Sequence, residues 1–388
     1  MDTKTKKLIV VLGITNIVLL LIAVGMYFLS RESFNLSGDP SKNIEISYWG
    51  LWEADEVMHP MIEKYEALNP GVKILYSQQA YTDYEQRVYA RLEQAETTGE
   101  PAPDVIRIYN TWLPKYQKYL QPLPSSVMDR ATYSSEFYPT ALDDFTGVDG
   151  QIYAIPLHID GLLIIYNKTL LKEAGYLEPA KDWDSFMEMA QVLTTRDSTE
   201  KIVKSGLAIG TSKNILHSVD IFSYFLLQNR VEVMNKTRDQ VNLNNSRAIS
   251  ALETYTSFVQ DEDATWAIYL PNDLTKFQNG ELAMMFGNIA RAMEIMEDAP
   301  NIDFGLAQLP RLPNNEETYY SSYWADTVTT SSQHPEEAWK FIEWLSQPEQ
   351  QRRLFQNATK TRPIGPPYAR VSMRSEEHTS ELQSRQSI

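Results

Sequence analysis

The sequence predicts an α/β protein of two bodies joined by crossing strands, preceded by an N-terminal transmembrane helix. Three observations carry this. A strand–helix–strand–helix–strand order runs from Ile44 to Ile108. Residues 150–168 hold two apolar runs, 152–157 and 162–166, split by His158-Ile159-Asp160-Gly161, which suits a backbone leaving one body and entering another. An ordinary buried hairpin within one domain is the other reading of that stretch. Lys4, Lys6 and Lys7 precede a nearly unbroken apolar run that opens at Leu8 and closes at Leu29. The chain's 388 residues allow two domains of roughly 100–200 residues each.

The apolar run of residues 8–29 spans about 33 Å as a helix at ~1.5 Å per residue, enough for a ~30 Å hydrocarbon core. Lysines stay on the cytoplasmic side, which places the body outside the cell. A cleaved signal peptide, with Ala23 and Gly25 as its small residues, is the rival. The run's continuation through Met26-Tyr27-Phe28-Leu29 exceeds the ~7–15 apolar residues usual there and favours an uncleaved anchor. Residues 31–43 read as a polar linker, since Gly38-Asp39-Pro40 cannot continue a helix.

Ile44-Glu45-Ile46-Ser47-Tyr48 alternates as a strand does, and the aromatic Trp49-Gly50-Leu51-Trp52-Glu53 follows as a loop. A helix is predicted from Asp55, with Val57, Met61, Ile62, Tyr65 and Leu68 on one face. Asn69-Pro70-Gly71 stops it before a strand over 72–76. Asp83 is placed to cap a helix carrying Tyr84, Val88, Leu92 and Ala95. A third strand, 105–108, ends before Asn110-Thr111-Trp112. This order predicts a mainly parallel sheet whose ligands collect at the carboxyl ends of strands, where both aromatic loops fall.

Past the crossing stretch, residues 168–174 form a short helix closed by Gly175. Asp182 caps a helix over 183–193. A strand is expected at 206–209 and helices at 218–228 and 247–259, the latter with Ile249, Leu252, Tyr255 and Val259 inward. Trp266 lies in a loop before Asp273, a candidate cap. A buried run at 282–286 is stopped by Gly287, and short strands follow at 304–307 and 328–330. Residues 335–345 are amphipathic, with Ala338, Phe341, Ile342 and Leu345 on one face and Pro335 in the first turn. Residues 375–388 lack apolar periodicity. With Arg374, the first ten or so of them read as an in-frame translation of a sequencing-library adapter, extraneous to the fold, with a genuine polar tail as the alternative.

A net charge of −16, from 35 basic and 51 acidic side chains, argues against a nucleic-acid partner. Without cysteine there is no disulfide, thiolate catalysis or lipid attachment at an N-terminal Cys. No phosphate loop, dinucleotide fingerprint or nucleophile elbow occurs, and no cofactor is called for. His158 and Asp160 are two ligands, short of the three or four a zinc site needs. Glu53, Asp55 and Asp160 are of the residue type of a glycosidase carboxylate pair, but their spacing does not distinguish catalysis from hydrogen-bond acceptance. The aromatics say more. A sugar presents apolar C–H faces and a rim of hydroxyls, which flat rings and Asp, Asn or Arg side chains match. Trp49, Trp52, Trp112, Trp266 and Trp324 all lie in predicted loops beside strand ends, near Glu53, Asn110 and Asp160. Each Trp alone is as readily explained as core.

Several blocks together resemble the extracellular solute-binding proteins of ABC importers, in their carbohydrate-binding branch with maltose-binding protein. They are Tyr48 to Glu53 followed by a helix, Pro103-Asp104-Val105-Ile106, Asp149-Gly150-Gln151-Ile152-Tyr153-Ala154-Ile155-Pro156, Tyr166-Asn167-Lys168, Phe277-Gln278-Asn279-Gly280-Glu281-Leu282-Ala283-Met284, and residues 335–345. The likeness runs from about Ile44 to Arg370. It implies a type II periplasmic-binding-protein-like fold with ligand held between two lobes. The implied crossings lie at 158–161, near 286–289 and near 324–327. Lobe one would be 44–159 plus 290–323, and lobe two 160–287 plus 328–373, its last helices missing. Residues 1–43 would be cytoplasmic stub, anchor and linker. By position, Trp52, Glu53, Asn110, Thr111, Asp160, Gly287, Asn288 and Trp324 should face the cleft, with Arg362 at its rim. Trp49, Trp112 and Trp266 join them on local grounds.

The resemblance implies a membrane-tethered binding protein that captures a carbohydrate outside the cell and delivers it to ABC permease subunits by hinge closure. An extracellular glycoside-processing enzyme using Glu53 and Asp160, and a tethered ligand sensor, are the alternatives.

Overall fold

The computed structural model describes residues 43–374 apart from 236–238, 261–262, 313–317, 361–364 and 366. The apolar run from Leu8 to Leu29, Arg362 and residues 375–388 lie outside the described residues. No described helix is long and apolar enough to cross a membrane.

Strand β1 (Ile44–Gly50) buries Ile44, Ile46, Tyr48 and Gly50 in strict alternation, the period that puts every second side chain on one face. It pairs in parallel with β2 (Val72–Gln78) and β3 (Val105–Tyr109). The helix Asp55–Leu68 buries Val57, Met58, Met61, Ile62 and Tyr65. Leu68, expected inward, is instead 42% exposed at the last position of the helix. The helix Tyr84–Thr98 buries Tyr84, Val88 and Leu92. Asp83 precedes it in a left-handed turn (φ 57°) and makes no side-chain cap.

β4 (Leu163–Asn167) opens a second sheet. It runs antiparallel to both its neighbours, and the strand order is β5-β6-β7-β4-β8. These are β5 (Thr195–Arg196), β6 (Ile202–Ala208), β7 (Leu282–Gly287) and β8 (Phe304–Ala307). Asn167, Asp182 and Asn272 cap the helices that follow them, each accepting a backbone N–H three residues on, so Asn272 takes the role expected of Asp273. β6 must carry glycine at 206, where a Cβ would lie 1.8 Å from the Ala190 carbonyl oxygen. On the helix Ser246–Ser257 the buried residues are Ala248, Ala251 and Tyr255, while Ile249 and Leu252 are half exposed. Tyr255 is inward as expected and Val259 packs against the core, but Ala248 and Ala251 take the places expected of Ile249 and Leu252, and these small residues allow close packing on the Ser218–Gln228 helix.

β9 (Trp324–Val328) returns to the first sheet, antiparallel to β3, giving the order β2-β1-β3-β9. Trp324 therefore begins a strand, and Trp49 lies within one; neither is in a loop. The helix Pro335–Ser346 buries Ala338, Phe341, Ile342 and Leu345 as expected, together with Trp339 and Trp344. Residues 152–157 form no regular strand. They are held by isolated bridges, Thr146 to Ile152 and Ile155 to Asp326, because Pro156 supplies no N–H for a continuous ladder.

Two lobes result, and their division corrects the expected one. β8 pairs with β4, and Ala292 and Ile295 of the helix Ile289–Asp298 sit in the second core, so residues 289–309 belong to lobe two. Residues 335–358 pack on the first sheet with Val57, Met61 and Tyr65, in lobe one. No crossing occurs near Phe286: Gly287 leads into a helix of the same lobe. The second crossing lies at 320–324 and pairs with the first. Leu162 donates its N–H to Tyr320 and Ser322 donates its own to Asp160, both at 2.9 Å. Glycine at 161 lets them approach, since a Cβ there would meet the Tyr320 oxygen at 3.1 Å.

Candidate functional site

The cleft is built where the crossings meet the carboxyl edge of the first sheet. Tyr109 ends β3 and Trp324 begins β9, and the two are register partners with ring centroids 5.3 Å apart. Trp112 meets Trp324 edge-on at 5.0 Å, Tyr81 at 6.2 Å and Trp52 at 6.4 Å. Trp52 also lies 5.1 Å from Tyr81 and is 38% exposed. Rings at these separations attract one another beyond their burial. Trp324 is thus the hub of an aromatic wall on lobe one, and Trp49 packs half-buried behind it.

Two residues along each strand, on the same face, Arg107 and Asp326 are again register partners. Arg107 donates from Nε to Asp326 at 2.9 Å, from a terminal nitrogen to Tyr48 Oη at 3.0 Å, and from the other to Glu53. All three charged residues are at most 5% exposed. Burial lowers the Arg107 pKa, but Asp326 and Glu53 outweigh it and hold the guanidinium charged. Burial raises the Asp326 carboxyl, against the pull of Arg107. Glu53 is therefore committed to the interior beneath the wall. It is buried away from the cleft that the resemblance assigns it to, in an ion pair with Arg107.

Lobe two faces this wall with polar groups. Asp220, in the first turn of the helix Ser218–Gln228, accepts from Tyr109 Oη at 3.2 Å and Ser322 Oγ at 3.2 Å, with His217 Nδ1 at 2.9 Å. Tyr109 belongs to lobe one and Ser322 to the second crossing, so this carboxylate joins the two lobes and the hinge. Burial, then the Asp220 charge, raises the Tyr109 hydroxyl well above its ordinary range. The Tyr81 hydroxyl is raised by burial and by Asp220, against Arg291.

Asp160 lies half-buried on the first crossing. Its carboxylate accepts from Gly161 N at 2.8 Å and from Ile289 N at 3.2 Å, at the amino end of the Ile289–Asp298 helix. Burial pushes its pKa up to about 7, against these backbone donors and His217. Asn110 donates to Asp144 at 3.1 Å and to the Ser321 carbonyl at 3.3 Å, while its buried Oδ1 has no partner among the described residues. Thr111 is exposed beside it.

The structure thus brings Trp52, Trp112, Trp324, Asn110, Thr111 and Asp160 to one region. Other expected residues serve the fold instead. Trp266 is fully buried in the second core, its Nε1 donating to Asn214 at 2.9 Å. Gly287 is buried where a Cβ would meet Ile165 at 2.7 Å. Asn288 caps its helix by accepting from Arg291 N. Tyr81, Tyr109, His217, Asp220 and Arg291 escaped sequence reasoning. Tyr109 was within reach, as the strand-end neighbour of Asn110, and so was the His217/Asp220 pair, spaced three apart at a helix start.

The profile of the family described as bacterial extracellular solute-binding protein matches residues 60–377. The chain belongs to this family. Among solute-binding relatives, a Brucella abortus protein named only as a binding protein is 25% identical over 303 residues, covering 76% of this chain and 69% of its own. The ABC substrate-binding protein Lmo0181 of Listeria monocytogenes, solved with cycloalternan, superposes with a TM-score of 0.69 at 20% identity, over 89% of this chain and 85% of that one. The maltose-bound MalE3 of T. maritima superposes at 0.64 and 20% identity, over 88% and 84%. The two-lobe α/β fold is that of such solute-binding proteins.

Proposed function

We propose that this solute-binding protein captures a saccharide between its lobes outside the cell and presents it to an ABC permease, tethered by the apolar segment from Leu8 to Leu29. The carrying observation is the convergence of Trp52, Tyr81, Tyr109, Trp112 and Trp324 on one edge of lobe one, opposite Asp220 and beside Asp160. Rings of this kind cover the C–H faces of a pyranose, and carboxylates accept from its hydroxyl rim. A ligand touching both walls binds the closed arrangement more tightly than the open one, and that difference drives closure about the paired crossings. The cycloalternan and maltose bound by the two similar structures support this class of ligand.

Calorimetric titration of the purified protein with maltose, maltotriose and cycloalternan tests the reading. Saturable binding of one of them is expected. Failure of all three, together with failure of a wider oligosaccharide panel to raise the melting temperature, would reject a saccharide ligand.

A further inference from the structure

One carboxylate links the lobes, and both of its oxygens are engaged there. Asp220 Oδ1 takes Tyr109 Oη from lobe one, and Oδ2 takes Ser322 Oγ from the second crossing, each at 3.2 Å. The two hydroxyl oxygens are themselves 2.5 Å apart, so the single proton of each serves either the carboxylate or the neighbouring hydroxyl. His217 Nδ1, 2.9 Å from Oδ2, orients the carboxylate from its own helix. A pair of neighbouring hydroxyls straddling one carboxylate is the pattern that a vicinal diol presents to it. Asp220 is 9% exposed and lies close enough to raise the Tyr81 hydroxyl, so it borders the aromatic wall and not a separate surface.

We infer that Asp220 is the lobe-two acceptor for a vicinal diol of the ligand, and that Tyr109 and Ser322 hold its place as a latch between the lobes. This rests on the saccharide reading above and adds the residue that selects hydroxyl geometry. A diol that reaches Asp220 displaces both hydroxyls and takes over the same two hydrogen bonds. Breaking the latch is therefore a cost subtracted from intrinsic affinity, since only the fraction of molecules with Asp220 released is competent to bind. A sugar deoxygenated at either position of the diol would satisfy only one oxygen.

The test compares wild type, Tyr109→Phe, Ser322→Ala and Asp220→Asn, each first shown to be folded by circular dichroism. Titration with whichever of maltose, maltotriose or cycloalternan saturates the wild type should show Asp220→Asn weakened by roughly 10- to 100-fold, the loss expected of charge-assisted hydrogen bonds. Tyr109→Phe should bind about 2- to 10-fold more tightly, as one ordinary hydrogen bond no longer opposes release. Without added sugar, small-angle scattering should give Tyr109→Phe a larger radius of gyration than wild type. Unchanged affinity in Asp220→Asn overturns the acceptor role, and affinity in Tyr109→Phe equal to or below wild type overturns the latch. If no saccharide saturates the wild type, the saccharide reading fails on its own. The latch is then judged by scattering, and equal radii overturn it.

Discussion

Replacing Arg107 with Met should be the most damaging single change in lobe one. Arg107 is 1% exposed and neutralises two carboxylates, Glu53 and Asp326, that are 5% and 1% exposed. Methionine matches most of the volume but leaves both carboxylates without a cation. Removing one partner of a buried ion pair costs about 3–5 kcal/mol, chiefly through the uncompensated charge left behind. Urea unfolding followed by circular dichroism measures the difference. The variant should also carry a pH signature. Asp326 is already raised above its ordinary value by burial, and without the pull of Arg107 it rises further. A carboxyl raised in the folded state binds more protons there than in the unfolded chain. Its contribution is fully present below the unfolded pKa of about 4 and is lost as pH rises through the folded value. The deficit against wild type should therefore be larger at pH 8 than at pH 5. The companion triple variant Arg107→Met, Glu53→Gln, Asp326→Asn should recover much of the loss. A deficit below about 1 kcal/mol, within the range of an exposed ion pair, or one independent of pH, would refute the reasoning.

Two other outcomes follow from the same geometry. Asp160, raised to about 7, withdraws stability as pH rises from about 4 towards 7; Asp160→Asn should gain on wild type across that window in thermal melts, and parallel curves would argue against the shift. Trp266→Phe should lower stability by about 1–3 kcal/mol through lost packing and the lost donor to Asn214. It should leave saccharide affinity unchanged, and a tenfold loss in titration would return Trp266 to the cleft.

The first sheet was legible because local pattern determines it. β1 alternates, β2 follows Asn69-Pro70-Gly71 and β3 follows Pro101 and Pro103, and the helices between them bury residues at helical spacing. The division of residues 290–373 between lobes was not legible. A strand such as Phe304–Ala307 reads identically whichever sheet it joins, and only its pairing with β4 assigns it. The wall was half visible for a related reason. Tryptophans stand out in a sequence, so Trp52, Trp112 and Trp324 were found. The same logic admitted Trp266, because a ring in a core and a ring in a cleft share one letter. Glu53 failed likewise: its neighbour in sequence faces the cleft, but its partner Arg107 lies 54 residues away, on the buried side. Asp220 depends on Tyr109 and Ser322, separated from it by 111 and 102 residues, and no local pattern announces such a contact.

Titration calorimetry on wild type and Trp324→Ala tests the central claim most directly. Trp324 touches Trp52, Tyr81, Tyr84, Tyr109 and Trp112, so its removal empties the middle of the wall while β9 remains paired to β3. The account predicts saturable saccharide binding by the wild type and a loss of roughly 30-fold or more in the variant, as for a buried aromatic anchor worth at least ~2 kcal/mol. Equal affinity in the two proteins would contradict it.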